Sequence, residues 1–273
     1  MSERREELQV PALVPTSDVQ HELLVNNKCP KKSPNKDVFM NRSTTYQKQR
    51  DRIEAYFDRT AVDQWARLTS DVPVSSVRKT VRAGRERMHK TLLSWLPKDL
   101  RGRRILDAGC GTGAMAVALA ERGAQVVAVD LSPTLVQLAR ERLPHHLSNA
   151  RLEFIAGDML ATELGQFDHV VAMDSMIHYQ RQDLVEGLAG FAQRTTYSVL
   201  FTFAPSNPLL AMMIRMGRLF PRADRAPFIE PLAEATLRSD FHLKDALAGW
   251  CAARTEKISS GFYTSQGMEL ARA

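Results

Sequence analysis

Cysteine is scarce. Cys29, Cys110 and Cys251 form an odd set without paired spacing, which argues against a disulfide framework or a cysteine-built metal site and fits a reducing, cytoplasmic compartment. No apolar run approaches the roughly 20 residues of a membrane-spanning helix, and the N-terminus lacks the charged-then-apolar order of a secretory signal. A soluble or peripheral protein is expected. Zinc-finger spacing and RNA-recognition signatures are missing, so no nucleic-acid partner is expected. The 37 Lys and Arg against 31 Asp and Glu leave a net charge of +6 that is not gathered into one long run. Such an excess favours acidic partners of any kind, anionic small molecules and lipid surfaces included. Clustered carboxylates and His/Cys ligand spacing are missing as well, and with them any sign of a protein metal site. No internal repeat is visible. What is present is 44% apolar content in 273 residues, enough core for one α/β domain with additions.

Residues 1–45 are polar, with scattered Pro and Lys and no sustained apolar period, and read as a disordered extension. Met40 stands just before the first helical pattern, a position from which a shorter native chain would start; the N-terminal mass of native protein tests this. Residues 46–97 read as a helical arm. Ile53, Tyr56, Phe57, Val62 and Trp65 recur at helix-like intervals, and Val77, Val81, Met88, Leu92, Leu93 and Leu96 define a longer helix entered at Ser75 or Ser76 and stopped by Pro97. From 98 to 273 strands and helices alternate: strands at Arg104–Ala108, Gln125–Asp130, Leu152–Ala156, Phe167–Met173 and Ser198–Ala204, then two last strands near Trp250–Ser259 and Gly261–Met268. The alternation predicts a doubly wound, mostly parallel seven-stranded sheet with helices on both faces. The Met-rich stretch Leu209 to Met216 interrupts it, so about 206–227 is expected to be an inserted helical cap. Methionines adapt to irregular shapes and suit a cover over an acceptor, although a core helix or a helix packed on another subunit has the same composition.

The most specific feature is Asp107-Ala108-Gly109-Cys110-Gly111-Thr112-Gly113, which links the first strand to a helix. Gly109, Gly111 and Gly113 permit unusual backbone angles and remove Cβ atoms where a ligand nears the main chain. Dinucleotide sites use G-x-G-x-x-G; here the spacing is G-x-G-x-G, and Asp107 would repel a diphosphate. The pattern therefore suits an aminoacyl nucleoside with a cationic end. Asp130 ends the second strand at the place from which a carboxylate accepts ribose hydroxyls. Asp158 follows the third strand, where it can accept an adenine amino group while Leu131 and Met159 pack on the ring faces. Asp174 ends the fourth strand as a further candidate for the cofactor, and Arg85, on the basic face of the second helix, is a candidate for a cofactor carboxylate or else a solvated surface residue. His178 stands at the sheet edge where acceptor and cofactor should meet, placed to orient the acceptor by hydrogen bonding, to face a metal that the acceptor carries, or to serve as a satisfied structural histidine.

Asp107 to Gly113 resembles motif I of the class I methyltransferases, a Rossmann-like fold that uses S-adenosylmethionine as methyl donor. A closer resemblance runs from Tyr46 to Ala273, through Tyr56-Phe57-Asp58-Arg59-Thr60-Ala61, Trp65-Ala66-Arg67-Leu68, Val77 to Arg85, Gly165-Gln166-Phe167-Asp168, Val171 to Ser175, Leu219-Phe220-Pro221-Arg222 and Gly261-Phe262-Tyr263. These stretches are similar to the magnesium-protoporphyrin O-methyltransferases of bacteriochlorophyll and chlorophyll synthesis. The resemblance implies a carboxyl O-methyltransferase acting on a propionate of magnesium protoporphyrin IX, with catalytic roles for His178 and for Tyr56 on the arm. It also implies a magnesium-chelatase subunit as partner. Arg215, Arg218, Arg222 and Arg225 surround the Met-rich stretch and could pair with the propionates, or equally meet anionic lipid, as a peripheral membrane contact, or solvent. Methylation of another small acceptor and a non-catalytic tetrapyrrole-carrier role remain the alternatives.

Overall fold

The computed structural model describes residues 44–59, 76–206 and 229–272. The extension before Thr44, the second half of the first arm pattern and the Met-rich insertion lie outside the described residues. Five parallel strands form the centre: β1 (Arg104–Ala108), β2 (Gln125–Asp130), β3 (Leu152–Ala156), β4 (Phe167–Ala172) and β5 (Thr195–Pro205). β6 (Pro231–Leu232), β7 (Trp250–Ser260) and β8 (Tyr263–Arg272) complete the sheet in the order β3-β2-β1-β4-β5-β8-β7, with β8 antiparallel to both neighbours. The expected seven strands make up this path. The eighth, β6, arises because the chain returning at Leu232 accepts a bond from the Ser206 amide (2.9 Å) and so extends the end of β5.

Strand alternation separates two cores. Ile105, Val126, Val171 and Leu200 face one side of the sheet, and Leu106, Val127, Val170 and Phe201 the other. The first side is covered by α2 (Ser76–Trp95), α3 (Ala114–Glu121) and α4 (Pro133–Glu141); the second by α1 (Thr44–Arg59), α5 (Arg181–Gln193) and α6 (Glu234–Leu243). α2 buries Met88 and Leu92, four residues apart, against β7 and β8, and Leu96 just past its end continues the stripe. A Cβ on Gly267 would lie 3.1 Å from the Met88 sulfur, so glycine there lets the helix sit close to the sheet. α2, within the expected helical arm, is thus a layer of the fold. α1 starts two residues inside the expected extension, and its Tyr46 and Ile53 are buried. It is pinned at its far end by Asp58, whose carboxylate accepts from the hydroxyls of Ser132 (3.0 Å) and Thr134 (2.7 Å) at the start of α4. The Ser132 hydroxyl in turn accepts from the Leu135 amide (3.2 Å) as the N-cap of that helix.

Strand order reverses between β1 and β4. The chain leaves β1 for β2 and β3 on one side and returns to β4 on the other, which opens a crevice at the carboxyl ends of these strands.

Candidate functional site

The loop after β1 lies in that crevice. Gly109 has φ +82°, and a Cβ there would stand 2.2 Å from the Ser175 Cβ, so no other residue fits. Gly113, with φ +83°, starts α3, and its missing Cβ makes room for the Phe154 ring at 2.9 Å. Gly111 has φ +52°, and its amide donates to Asp130 Oδ2 (2.8 Å). The other Asp130 oxygen accepts from the Ser132 amide (3.0 Å), so one carboxylate ties the glycine loop to the loop after β2. Burial raises the Asp130 carboxyl above its ordinary range, and these backbone donors oppose the rise. The Gly111 and Ser132 amides, with a weaker contribution from the Leu131 amide, leave Asp130 acceptor capacity for a ligand.

Asp107 is different. It is 2% exposed, and its Oδ2 has no hydrogen-bond partner among the described residues. Burial first, and the nearby Asp130 charge second, push its carboxyl up to about 7. A buried carboxylate oxygen without a donor at a cleft wall is suited to a cationic ligand group.

The cleft has a volume of about 300 Å³; Phe57, Arg85, Asp107, Asp130, Asp174 and His178 are among its walls. A smaller adjoining pocket of about 40 Å³ is lined by Tyr46, Leu131, Gly157, Met159 and Tyr179, with Gly109, Asp130 and Ser175 common to both spaces. The larger holds most of the charged side chains, and the smaller is flanked by the Tyr46 and Tyr179 rings. The two share the carboxylate expected to bind a ribose, which is the layout an aminoacyl nucleoside requires.

α1 closes the smaller pocket. The Tyr46 ring stacks on Tyr179 at 5.0 Å and 15° between planes, and burial raises both phenols. Its hydroxyl donates to Asp158 Oδ1 (2.8 Å), which also accepts from the Leu160 amide (2.8 Å), while Arg50 stands 3.7 Å from Oδ2. Asp158 was expected at an adenine edge; in the structure it holds Tyr46 over the pocket that Leu131 and Met159 line. Farther along α1, Gln49 Nε2 donates to the His178 carbonyl (2.9 Å), and Phe57 packs 5.9 Å from the His178 ring. His178 is therefore at the cleft as expected. Tyr56 is half-buried, sets its ring edge-on against Phe57 at 5.2 Å and is not among the described residues lining the cleft. Helix geometry gives the reason: Tyr46, Ile53 and Phe57 fall on one line, and Tyr56 points about 100° away from Phe57. That spacing is the signal by which Tyr46 and Phe57, both missed in the sequence, could have been found.

Asp174 and Arg85 meet as a pair. Arg85 Nη1 donates to Asp174 Oδ2 (2.5 Å), and the carboxylate also accepts from the hydroxyls of Tyr263 (3.1 Å), Thr202 (3.2 Å) and Ser265 (3.3 Å). Both residues line the cleft. Among the described residues, no group of three or more His, Cys, Asp or Glu is arranged to hold a metal ion, and no helix is long and apolar enough to cross a membrane.

A family model described as Magnesium-protoporphyrin IX methyltransferase C-terminus matches residues 172–272, and one described as Methyltransferase domain matches residues 105–196. The magnesium-protoporphyrin O-methyltransferase of Rhodobacter capsulatus is 46% identical over 225 residues, covering 82% of this chain and 97% of that protein. The chain belongs to the magnesium-protoporphyrin O-methyltransferase family. The magnesium-protoporphyrin O-methyltransferase of Synechocystis is 30% identical over 223 residues, covering 81% of this chain and 95% of that one. A crystal structure of magnesium protoporphyrin IX methyltransferase from Synechocystis with bound SAH superposes with a TM-score of 0.71 at 28% identity, covering 82% of this chain and 99% of that one. A cyclopropane synthase from Mycobacterium tuberculosis, at 12% identity and a TM-score of 0.61, shares the fold alone. The doubly wound sheet of this chain is the class I methyltransferase fold common to them.

Proposed function

We propose that this chain transfers a methyl group from S-adenosylmethionine to one propionate carboxylate of magnesium protoporphyrin IX, giving the monomethyl ester on the route to bacteriochlorophyll and chlorophyll. Family membership at 46% identity supports the acceptor. For the donor, the observation that carries the reading is the partnerless Asp107 oxygen beside the glycine loop and Asp130.

In this reading Asp107 meets the donor's ammonium and Arg85 its carboxylate. Asp130 accepts from the ribose hydroxyls, and Leu131 and Met159 sandwich the adenine beneath Tyr46. Gly109, Gly111 and Gly113 let the ligand approach the main chain. Bound there, S-adenosylmethionine supplies an electrophilic methyl carbon on a sulfonium, which an acceptor carboxylate oxygen takes as the carbon–sulfur bond breaks. A propionate is already ionised near neutral pH, so the protein need not remove a proton. Its residues exclude water and align the acceptor, an effect that can be worth about 7 to 11 kcal/mol. His178 holds one acceptor oxygen by donating a hydrogen bond, and Phe57 keeps that wall of the cleft dry. Contacts with a magnesium-chelatase subunit and with an anionic membrane surface belong to the same proposal; co-sedimentation with anionic vesicles tests the second.

The decisive assay offers labelled S-adenosylmethionine with magnesium protoporphyrin IX or metal-free protoporphyrin and reads product mass. A single added methyl on the magnesium form is expected. No transfer to it, with donor binding intact, would move the acceptor to another carboxylate or a phenol, or leave a carrier. For the donor site, Asp130→Ala is expected to raise the Kd for S-adenosylmethionine about 100-fold by calorimetry, because two charge-assisted hydrogen bonds of about 1.5 kcal/mol each are lost. An unchanged Kd would remove Asp130 from the site.

A further inference from the structure

Two of the carboxylates that line the cleft are in opposite conditions. Asp107 has an oxygen without a donor, whereas Asp174 accepts from Arg85, Tyr263, Ser265 and Thr202. Those donors come from α2, β5 and β8, and they fill the roughly four acceptor positions a carboxylate offers. Asp174 is also the one non-glycine residue with positive φ among the described residues, at +55°. That backbone turn is held by its own amide, which donates to the Thr202 hydroxyl (2.7 Å). Across the cleft wall, Gly84 lacks a Cβ that would stand 2.4 Å from the Tyr263 ring, so Tyr263 packs against α2 directly beside Arg85. The hydroxyl of Tyr263 thereby reaches Asp174 at 3.1 Å. A carboxylate so occupied is poorly placed to bind a donor ammonium, but it is well placed to fix a guanidinium. A guanidinium presents five N–H donors in a rigid fork.

We infer that Asp174 and Tyr263 are positioning residues, holding the Arg85 fork at the cleft wall so that it meets the carboxylate of the donor's amino-acid part, with Asp174 itself making no contact with the donor. The inference rests on the reading of Arg85 given above. It changes the role expected for Asp174 and gives one to Tyr263, whose place in the sequence, 89 residues from Asp174, announces no link to the glycine loop.

The test separates the two ends of the ligand. Calorimetry on the full chain would compare S-adenosylhomocysteine with methylthioadenosine, which keeps the nucleoside and the sulfur but lacks the amino-acid part. Asp174→Asn suits the purpose because asparagine, like aspartate, tolerates positive φ, so the turn is not strained by the exchange. Asp174→Asn and Tyr263→Phe are each expected to weaken S-adenosylhomocysteine roughly tenfold and to leave methylthioadenosine within about twofold. Arg85→Ala is expected to show the same selectivity with a larger loss. Equal weakening of both ligands in Asp174→Asn would mean a merely structural role and would overturn the inference, as would no weakening of either. If Arg85→Ala spares S-adenosylhomocysteine, the assignment of Arg85 fails and takes the inference with it. If Arg85→Ala is selective and Asp174→Asn is not, only the positioning role is lost. None of these readouts depends on which acceptor is methylated.

Discussion

Asp107→Asn is expected to stabilise the ligand-free protein at mildly alkaline pH while weakening S-adenosylmethionine binding about 100-fold. The two effects have one cause. Burial, helped by the Asp130 charge, pushes the Asp107 carboxyl from an ordinary 3.8 up to about 7. The folded state therefore keeps a proton over a range in which the unfolded chain has released it, and stability falls as pH rises from about 4 to about 7. Above that range the folded protein carries a buried charge whose cost is of order 4 kcal/mol. Asparagine occupies the same volume without the charge, so part of that cost is recovered at pH 8, a gain of about 2 kcal/mol that disappears toward pH 4. The same charge is what a donor ammonium pairs with. In wild type, affinity for the donor should fall as pH drops through about 7, because a proton competes for the carboxylate; in Asp107→Asn that dependence should be flat. Thermal unfolding with and without S-adenosylhomocysteine, at several pH values, reads both effects. A variant less stable than wild type at pH 8, or one that binds the donor normally, would contradict the assignment of Asp107.

That a destabilising group persists at the base of the cleft fits a general pattern in which sites break folding rules that the rest of the chain obeys. It also explains what could be read from the sequence. β1, the glycine loop, Asp130 and the strands at Gln125–Asp130 and Leu152–Ala156 were legible because apolar runs end in glycine or aspartate at the sheet edge. The buried stripe of α2 was legible for a similar local reason, since Met88, Leu92 and Leu96 repeat at helical spacing. Contacts that join distant segments left no local mark. Nothing in Asp158-Met159 indicates that its carboxylate takes the hydroxyl of Tyr46, 112 residues away, and nothing in Met173-Asp174-Ser175 signals a positive φ or four donors. β6 was missed because a two-residue strand has no period, and it exists only through its pairing with the end of β5. On α1 the helix was legible, but its orientation was not. Choosing between Tyr56 and Phe57 requires knowing that Tyr46 is buried, and a tyrosine amid Thr44, Thr45, Gln47 and Lys48 does not look like core.

His178→Ala is expected to lower single-turnover methyl transfer about 100-fold while the Kd of S-adenosylhomocysteine stays within about twofold. His178 belongs to the short turn Met176–His178 after β4, is 8% exposed and lines the cleft together with the glycine loop. Its backbone is tied to α1 through Gln49 and its ring lies beside Phe57, so the imidazole is held in place by packing from both helix and turn. Because the acceptor carboxylate is ionised without help, a general base would add little. What the ring contributes is an N–H that fixes one carboxylate oxygen and leaves the other free to approach the methyl carbon. Loss of that orientation should appear in the chemical step and not in donor affinity, the reverse of the pattern expected for Asp130→Ala. His178→Asn, which restores a donor of similar reach, should recover about tenfold of the loss. A base role predicts something else: no recovery in asparagine, and a wild-type rate that falls as pH drops below the imidazole pKa. Equal damage to donor binding and turnover in His178→Ala would place the residue in the architecture of the cleft rather than at the acceptor.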